Sequence, residues 1–182
     1  MPFTFTPLPL EGLVLVEPKV FPDERGFFLE SYKESDFTLA GIHGNFVQDN
    51  HSLSKKDVIR GLHFQHAPKS QGKLVRVVRG AVWDVAVDIR PDSPNFKKWY
   101  AIELSESNNR MIFIPPGFAH GFAALADDTH LIYKCTHEYD AALDAGIRFD
   151  DPDIGVDWPV RLSIVSEKDA KLPSLQAVIN HR

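Results

Sequence analysis

Eight histidines and a single cysteine stand out in this chain of 182 residues. A histidine can bind a metal, pass a proton near neutral pH, or simply pack. Cys135 has no second cysteine, so neither an intrachain disulfide nor a cysteine-based zinc site is available. The run Pro115-Pro116-Gly117-Phe118-Ala119-His120-Gly121-Phe122 sets a tight turn ahead of a histidine and sends His120 into the strand that follows. The run Arg60-Gly61-Leu62-His63-Phe64-Gln65-His66 spaces two more histidines three apart, which does not put them on one face of a strand. From these residues alone, a turn followed by a packed histidine explains the pattern as well as a functional site does.

The elements that must hold such residues are short. Pro and Gly recur throughout, among them Pro18, Pro22, Gly26, Gly61, Pro68, Gly72, Gly80, Pro91 and Gly117, and the runs between are rich in Val, Ile, Phe and Tyr. Strands are predicted at Leu13–Glu17, Gly26–Tyr32, Lys73–Arg79, Ala81–Arg90, Trp99–Leu104, Arg110–Ile114, Gly121–Leu125 and Leu131–Thr136. Within the fourth, Ala81, Trp83, Val85, Val87 and Ile89 share an apolar outer face, and Val82, Asp84, Ala86 and Asp88 share the other. Scattered polar groups on that second face suit a sheet that lines a cavity. Helical signals are confined to Lys33–Ala40 and Ser166–Leu172, where Ser166 and Asp169 occupy capping-box positions. This pattern predicts an all-β sandwich or jelly-roll barrel with a few short helices, as a single domain over residues 1–182. No GxGxxG or P-loop pattern is present to support a dinucleotide or nucleoside-triphosphate fold.

Composition narrows the partners. Apolar residues make up 43% and charged residues 25%, enough for a core and a solvated surface. Twenty basic against 25 acidic residues give a net charge of -5, which argues against a nucleic-acid partner or a polybasic membrane anchor. No apolar stretch reaches transmembrane length, and Met1-Pro2-Phe3-Thr4 does not open a signal peptide, so the cytoplasm is the expected compartment.

The Pro-x-Gly-x-x-His pattern ending at His120 resembles the second cupin motif. Many cupins hold a metal through several histidines and a glutamate. Here Gln65 stands two residues after His63, and Ala124 stands four after His120. At best two ligands remain where a metal needs three or four, so no metal is expected. A longer resemblance covers about residues 10–173. Phe21–Tyr32, Phe46–Ser52, Arg60–Gln65, Gln71–Arg76, Trp83–Arg90, Pro115–Phe122 and Ser166–Ala170 resemble, in order and spacing, the dTDP-4-dehydrorhamnose 3,5-epimerases. That resemblance implies a double-stranded β-helix, the cupin jelly roll, with no cofactor. It implies inversion of C3 and C5 of dTDP-4-dehydro-6-deoxy-D-glucose through enolates beside the C4 ketone.

The resemblance also implies roles. His63 matches the general base and Asp169 its dyad partner, although Asp169 also sits where a helix cap would. Tyr133 matches the general acid. It shares a strand face with Leu131 and Cys135, and simple packing is its alternative. Lys73 matches a cation near the sugar's C4 oxygen, and Arg60 is expected to help there or at a phosphate. His120 matches a sugar contact and Asp84 a polar inner-face residue. Arg25, Glu30, Gln48, Asn50 and Lys168 match nucleotide or phosphate contacts, with solvated surface charge as the alternative for Arg25, Glu30 and Lys168. Tyr139 matches an aromatic stacked on thymine and Asp144 a further contact. The family implies a homodimer in which an N-terminal segment, about residues 1–20 here, packs on the partner, and Arg25 and Glu30 serve the neighbour's site. A reductase would then consume the product. Three rivals stay open: a mono-epimerase or ketoisomerase of a related sugar, a non-catalytic sugar-nucleotide-binding cupin, and a metal-dependent cupin.

Overall fold

The computed structural model describes residues 2–161 and 163–180. Short apolar strands separated by turns pair into two facing antiparallel sheets. The first runs β1 (Phe3–Pro7), β2 (Val14–Pro18), β10 (Met111–Ile114), β7 (Lys73–Arg79), β12 (Thr129–Cys135), β5 (Gln48–Ser54). The second runs β13 (Asp144–Gly146), β6 (Val58–Gln65), β11 (Phe118–Ala124), β8 (Ala81–Asp88), β9 (Trp99–Ser105), with β14 (Ile164–Val165) parallel to β6. From β5 to β13 the chain changes sheet at every step except β8 to β9, the winding of a jelly roll. A separate two-stranded ribbon joins β3 (Val20–Asp23) to β4 (Gly26–Leu29). Three short helices, α1 (Glu34–Leu39), α2 (Glu167–Ala170) and α3 (Leu175–Asn180), complete the described chain.

The alternation along β8 sorts its two faces as its sequence predicts. Val82 and Ala86 point between the sheets and meet Val75, Val77, Ile112 and Leu131. Val85 and Val87, with Ile89 just beyond, point outward and are also buried, because Ile147, Ile154 and Leu175 of the C-terminal segment cover them. Each such side chain contributes about 1.5–3 kcal/mol on burial. On the outer face of the first sheet, Phe37 of α1 packs on Phe3, Val16, Leu74, Met111 and Phe113. Residues 3–7 and 14–18 are therefore bound into the first sheet of their own chain.

Besides β1, β3, β13 and β14, which were not expected as strands, four others differ from the sequence expectation. β11 begins at Phe118, not Gly121: the turn ends at Gly117, whose φ is +90°, and Gly121 lies mid-strand. β5 was not expected, because its QDNHSLS sequence has no apolar run; β12 supplies its pairing. β6 was not expected as a strand because Gly61 interrupts it. The predicted strand at 26–32 shortens to Gly26–Leu29 and belongs to the exposed ribbon.

Candidate active site

The site begins with an irregularity in β6. His120 of β11 lies opposite His63, and Phe122 lies opposite Arg60. Two steps on β11 thus match three on β6, which is a β-bulge. The bulge turns Arg60 and His63 to the same side despite their spacing of three. Gly61 makes it possible: its φ is +124°, and a Cβ there would stand 2.5 Å from the Cα of Gly121. A side chain on either glycine would push the strands apart just behind the two histidines.

His63 and Asp169 meet across this wall. His63 Nε2 lies 2.8 Å from Asp169 Oδ1, and the Gly61 N–H donates to Asp169 Oδ2 at 3.2 Å. The helix-cap alternative for Asp169 is answered directly. Ser166 is the cap and accepts the Asp169 backbone N–H at 3.0 Å, so the Asp169 carboxylate is turned towards the imidazole. Burial by itself would raise the pKa of Asp169. The hydrogen bond and charge of His63, with the Gly61 and Ser166 contacts, outweigh it and hold the carboxyl below its usual value.

Tyr133 and Lys73 come from the facing sheet. Tyr133, on β12, packs against the inter-sheet core and lines the cavity, so its side chain points inward. Burial is the main cause that pushes its phenol up to about 12. Lys73 opens β7 and is buried; its Nζ is 3.5 Å from the His63 carbonyl oxygen and 5.9 Å from the Tyr133 ring centroid. Burial pushes its ammonium pKa down, against the opposing pull of Cys135, Asp144 and Asp84.

Between the sheets lies a cavity of about 380 Å³, within the range of small-molecule sites. His63, Lys73, His120, Tyr133 and Asp169 line it. Gln48, Asn50, Arg60, Tyr139, Asp144 and Lys168 line it as well. A polar chain links several of the latter: Gln48 Nε2 donates to Asn50 Oδ1 at 3.0 Å, and Gln48 Oε1 accepts the Tyr139 N–H at 2.7 Å. Tyr139 presents an exposed ring and its hydroxyl donates to Asp144 Oδ2 at 3.4 Å; the Lys168 ammonium reaches the same oxygen at 2.8 Å. Arg60 is braced by Ser54 Oγ and the Leu53 carbonyl at 3.1 and 2.9 Å.

Three expected site residues lie elsewhere. Asp84 faces the interior of the barrel, is fully buried and does not line the cavity; its Oδ2 lies 2.9 Å from His120 Nε2. Arg25, ion-paired with Asp23 in the ribbon turn, and Glu30 just after β4 do not line the cavity of their own chain. Conversely, Ser52, Gln71 and Phe122 line the cavity without an assigned role in the sequence reading. Ser52 continues the Gln48, Asn50 alternation, a signal visible only once β5 is known to be a strand. Among the described residues, no three His, Cys, Asp or Glu side chains converge as a metal-binding group.

Two wound antiparallel sheets around a polar cavity define a jelly-roll protein of the cupin type, with a carboxylate-paired imidazole on one wall and a partly buried phenol on the other. Comparison with known proteins narrows that class. The family model described as dTDP-4-dehydrorhamnose 3,5-epimerase matches residues 7–177. The dTDP-4-dehydrorhamnose 3,5-epimerase of Methanothermobacter thermautotrophicus is 51% identical over 170 residues, 92% of this chain and 91% of that protein. The enzyme of the same name from Salmonella typhimurium is 49% identical over 172 residues, 93% and 94% of the two chains. The crystal structure of the dTDP-6-deoxy-D-glucose-3,5-epimerase of Legionella pneumophila, in complex with dTDP-4-keto-L-rhamnose, superposes with a TM-score of 0.93 at 43% identity, covering 97% of this chain and 94% of that one. The chain belongs to the dTDP-4-dehydrorhamnose 3,5-epimerase family, and it is an isomerase.

Proposed function

We propose that the cavity epimerises dTDP-4-dehydro-6-deoxy-D-glucose at C3 and C5, giving dTDP-4-dehydro-L-rhamnose. The observation that carries this reading is the His63–Asp169 pair on one wall, opposite Tyr133 on the other. Both reacting carbons flank the C4 ketone, and their hydrogens lie on one face of a gluco-configured ring, so one base serves both. His63 takes the proton, and the electrons of the C–H bond move into the C3–C4 or C4–C5 enolate. Asp169 gives the resulting imidazolium a counter-charge and fixes the ring. Lys73 stabilises the charge that gathers on the C4 oxygen, often the largest catalytic contribution. Tyr133 returns a proton from the opposite face, which inverts the centre.

The nucleotide half falls to the mouth of the cavity. Arg60 and Lys168 are placed for the pyrophosphate, Gln48 and Asn50 for hydrogen bonds, and Tyr139 for stacking on thymine, with Asp144 bracing both Tyr139 and Lys168. Lys168 would exchange its Asp144 contact for phosphate. His120 contacts the sugar. The ligand of the Legionella enzyme supports this substrate. The working unit is a homodimer. Phe21, Phe27 and Phe28 are exposed on the ribbon, and this apolar surface suits a second copy, which would bring Arg25 and Glu30 to the neighbouring site. A reductase that consumes the keto sugar would draw the epimerisation forward.

Solvent deuterium exchange tests the reaction. With dTDP-4-dehydro-6-deoxy-D-glucose, label should enter at both C3 and C5. Label at one carbon would instead identify a mono-epimerase. No label, with nucleotide binding intact, would identify a binding protein.

A further inference from the structure

Asp84 is a carboxylate with no exposure at all, set among Val82 and Ala86 on a face where an apolar residue would pack. Its Oδ2 meets His120 Nε2 at 2.9 Å, while its Oδ1 receives no hydrogen bond from the described residues. Burying a carboxylate where an apolar side chain would pack is costly, so its presence there calls for a reason. Its location suggests one. His120 stands opposite His63 across the β6–β11 pair. The two imidazoles are therefore neighbours on one wall, and each has Nε2 held by a buried carboxylate, at 2.8 and 2.9 Å.

We propose that Asp84 is a positioning residue for the epimerisation: it keeps the His120 proton on Nε2 and offers the other ring nitrogen, Nδ1, to the sugar. An ionised carboxylate only accepts hydrogen bonds, so it selects this protonation pattern and holds the ring against rotation. The same carboxylate acts as a counter-charge to Lys73. Around Lys73 the groups that matter are Asp84 on β8, Asp144 on β13, Cys135 and the Tyr133 ring on β12, and the His63 carbonyl on β6. Asp84 is the fully buried carboxylate of that set. What His120 holds rests on the epimerase reading; the protonation pattern of His120 does not.

Isotope-edited NMR on nitrogen-labelled histidine reads the pattern in the unaltered protein, with the His120 signals assigned through His120→Gln. Nε2 should carry a proton throughout the pH range of turnover; an unprotonated Nε2 there overturns the proposal. In Asp84→Asn the carboxamide can donate to Nε2, so the proton should move to Nδ1. Turnover should fall about 10–100-fold, the range for outer partners that orient a histidine. Affinity for TDP should stay the same, and the alkaline limb of the pH–rate profile should move to lower pH. Unchanged turnover with an unmoved alkaline limb overturns the proposal. So does a parallel loss of turnover, TDP affinity and thermal stability, which marks a purely structural role. If Asp84→Asn does not fold, the measurement on the unaltered protein decides. Absence of deuterium wash-in by the unaltered protein would defeat the epimerase reading and leave the NMR result standing.

Discussion

In the proposed reaction His63 can serve as the base only if its ring is held in one orientation, and Asp169 is placed to hold it. Asp169→Asn keeps the shape but removes the charge, so turnover should fall by about 10²–10⁴-fold with TDP affinity little changed, measured by steady-state kinetics and calorimetry. Tyr133 must be a phenol to donate. With its pKa at about 12, it stays protonated well past the usual tyrosine value of about 10. Its ionisation therefore does not set the alkaline limb of the pH–rate profile. In the proposed mechanism Lys73 should set it, because burial favours loss of its proton at lower pH than in a free lysine. Lys73→Met should remove that limb along with most of the rate. The linkage signs differ too. Tyr133, with a raised folded pKa, contributes stability that is complete below about pH 10 and lost as pH rises through about 12. Asp169, with a lowered folded pKa, contributes stability that is present above the ordinary carboxyl range and lost as pH falls through its folded value. Acid unfolding of Asp169→Asn should therefore be less steep than that of the unaltered protein.

At the scale of elements, catalysis depends on the β6 bulge and on one turn of helix. Gly61→Ala would set a Cβ 2.5 Å from the Gly121 Cα at a φ of +124°. Both strain and clash predict a lower melting temperature and a displaced His63, so kcat should fall even in the fraction that stays folded. Ser166→Ala is milder. It removes the cap of α2, which costs about 0.5–2 kcal/mol, and loosens the backbone that aims Asp169. Thermal melts and turnover should fall together and modestly. Legibility also divides here. The apolar strands β7, β8, β10 and β12 were readable as Val-, Ile-, Phe- and Tyr-rich runs, and the two faces of β8 from alternation. β5 was not, because Gln48, Asn50 and Ser52 face a polar cavity and leave no hydrophobic period to detect. Nor was the shared face of Arg60 and His63, because a bulge breaks the two-residue period on which such reasoning depends.

At the scale of the whole molecule, the proposed dimer makes a distinctive prediction. Arg25→Ala and His63→Ala each damage a different half of a site shared between two chains. Each variant alone should be nearly inactive. After co-refolding at equal amounts, activity should recover to about a quarter of that of the unaltered protein, since half of the dimers are mixed and each of those holds one intact site. No recovery would place Arg25 outside the neighbour's site. Salt gives a second check. The chain has a net charge of -5, yet Arg60, Lys73 and Lys168 line the pocket proposed to take the anionic substrate. Raising ionic strength should weaken TDP binding by screening those exposed contacts, with little effect on the buried Lys73.

The sequence by itself determined the fold class, the family and many, though not all, of the side chains that line the cavity. Strand alternation and ordered motifs are local properties, and local properties survive in a string of letters. Only the tertiary structure decided how those side chains meet. It turned Tyr133 inward, separated the capping role of Ser166 from the paired carboxylate of Asp169, and withdrew Asp84 behind His120. These outcomes depend on which strands face each other, on a bulge at Gly61 and on burial from several directions at once. Such contacts join residues as many as 108 positions apart, and no short-range pattern carries them.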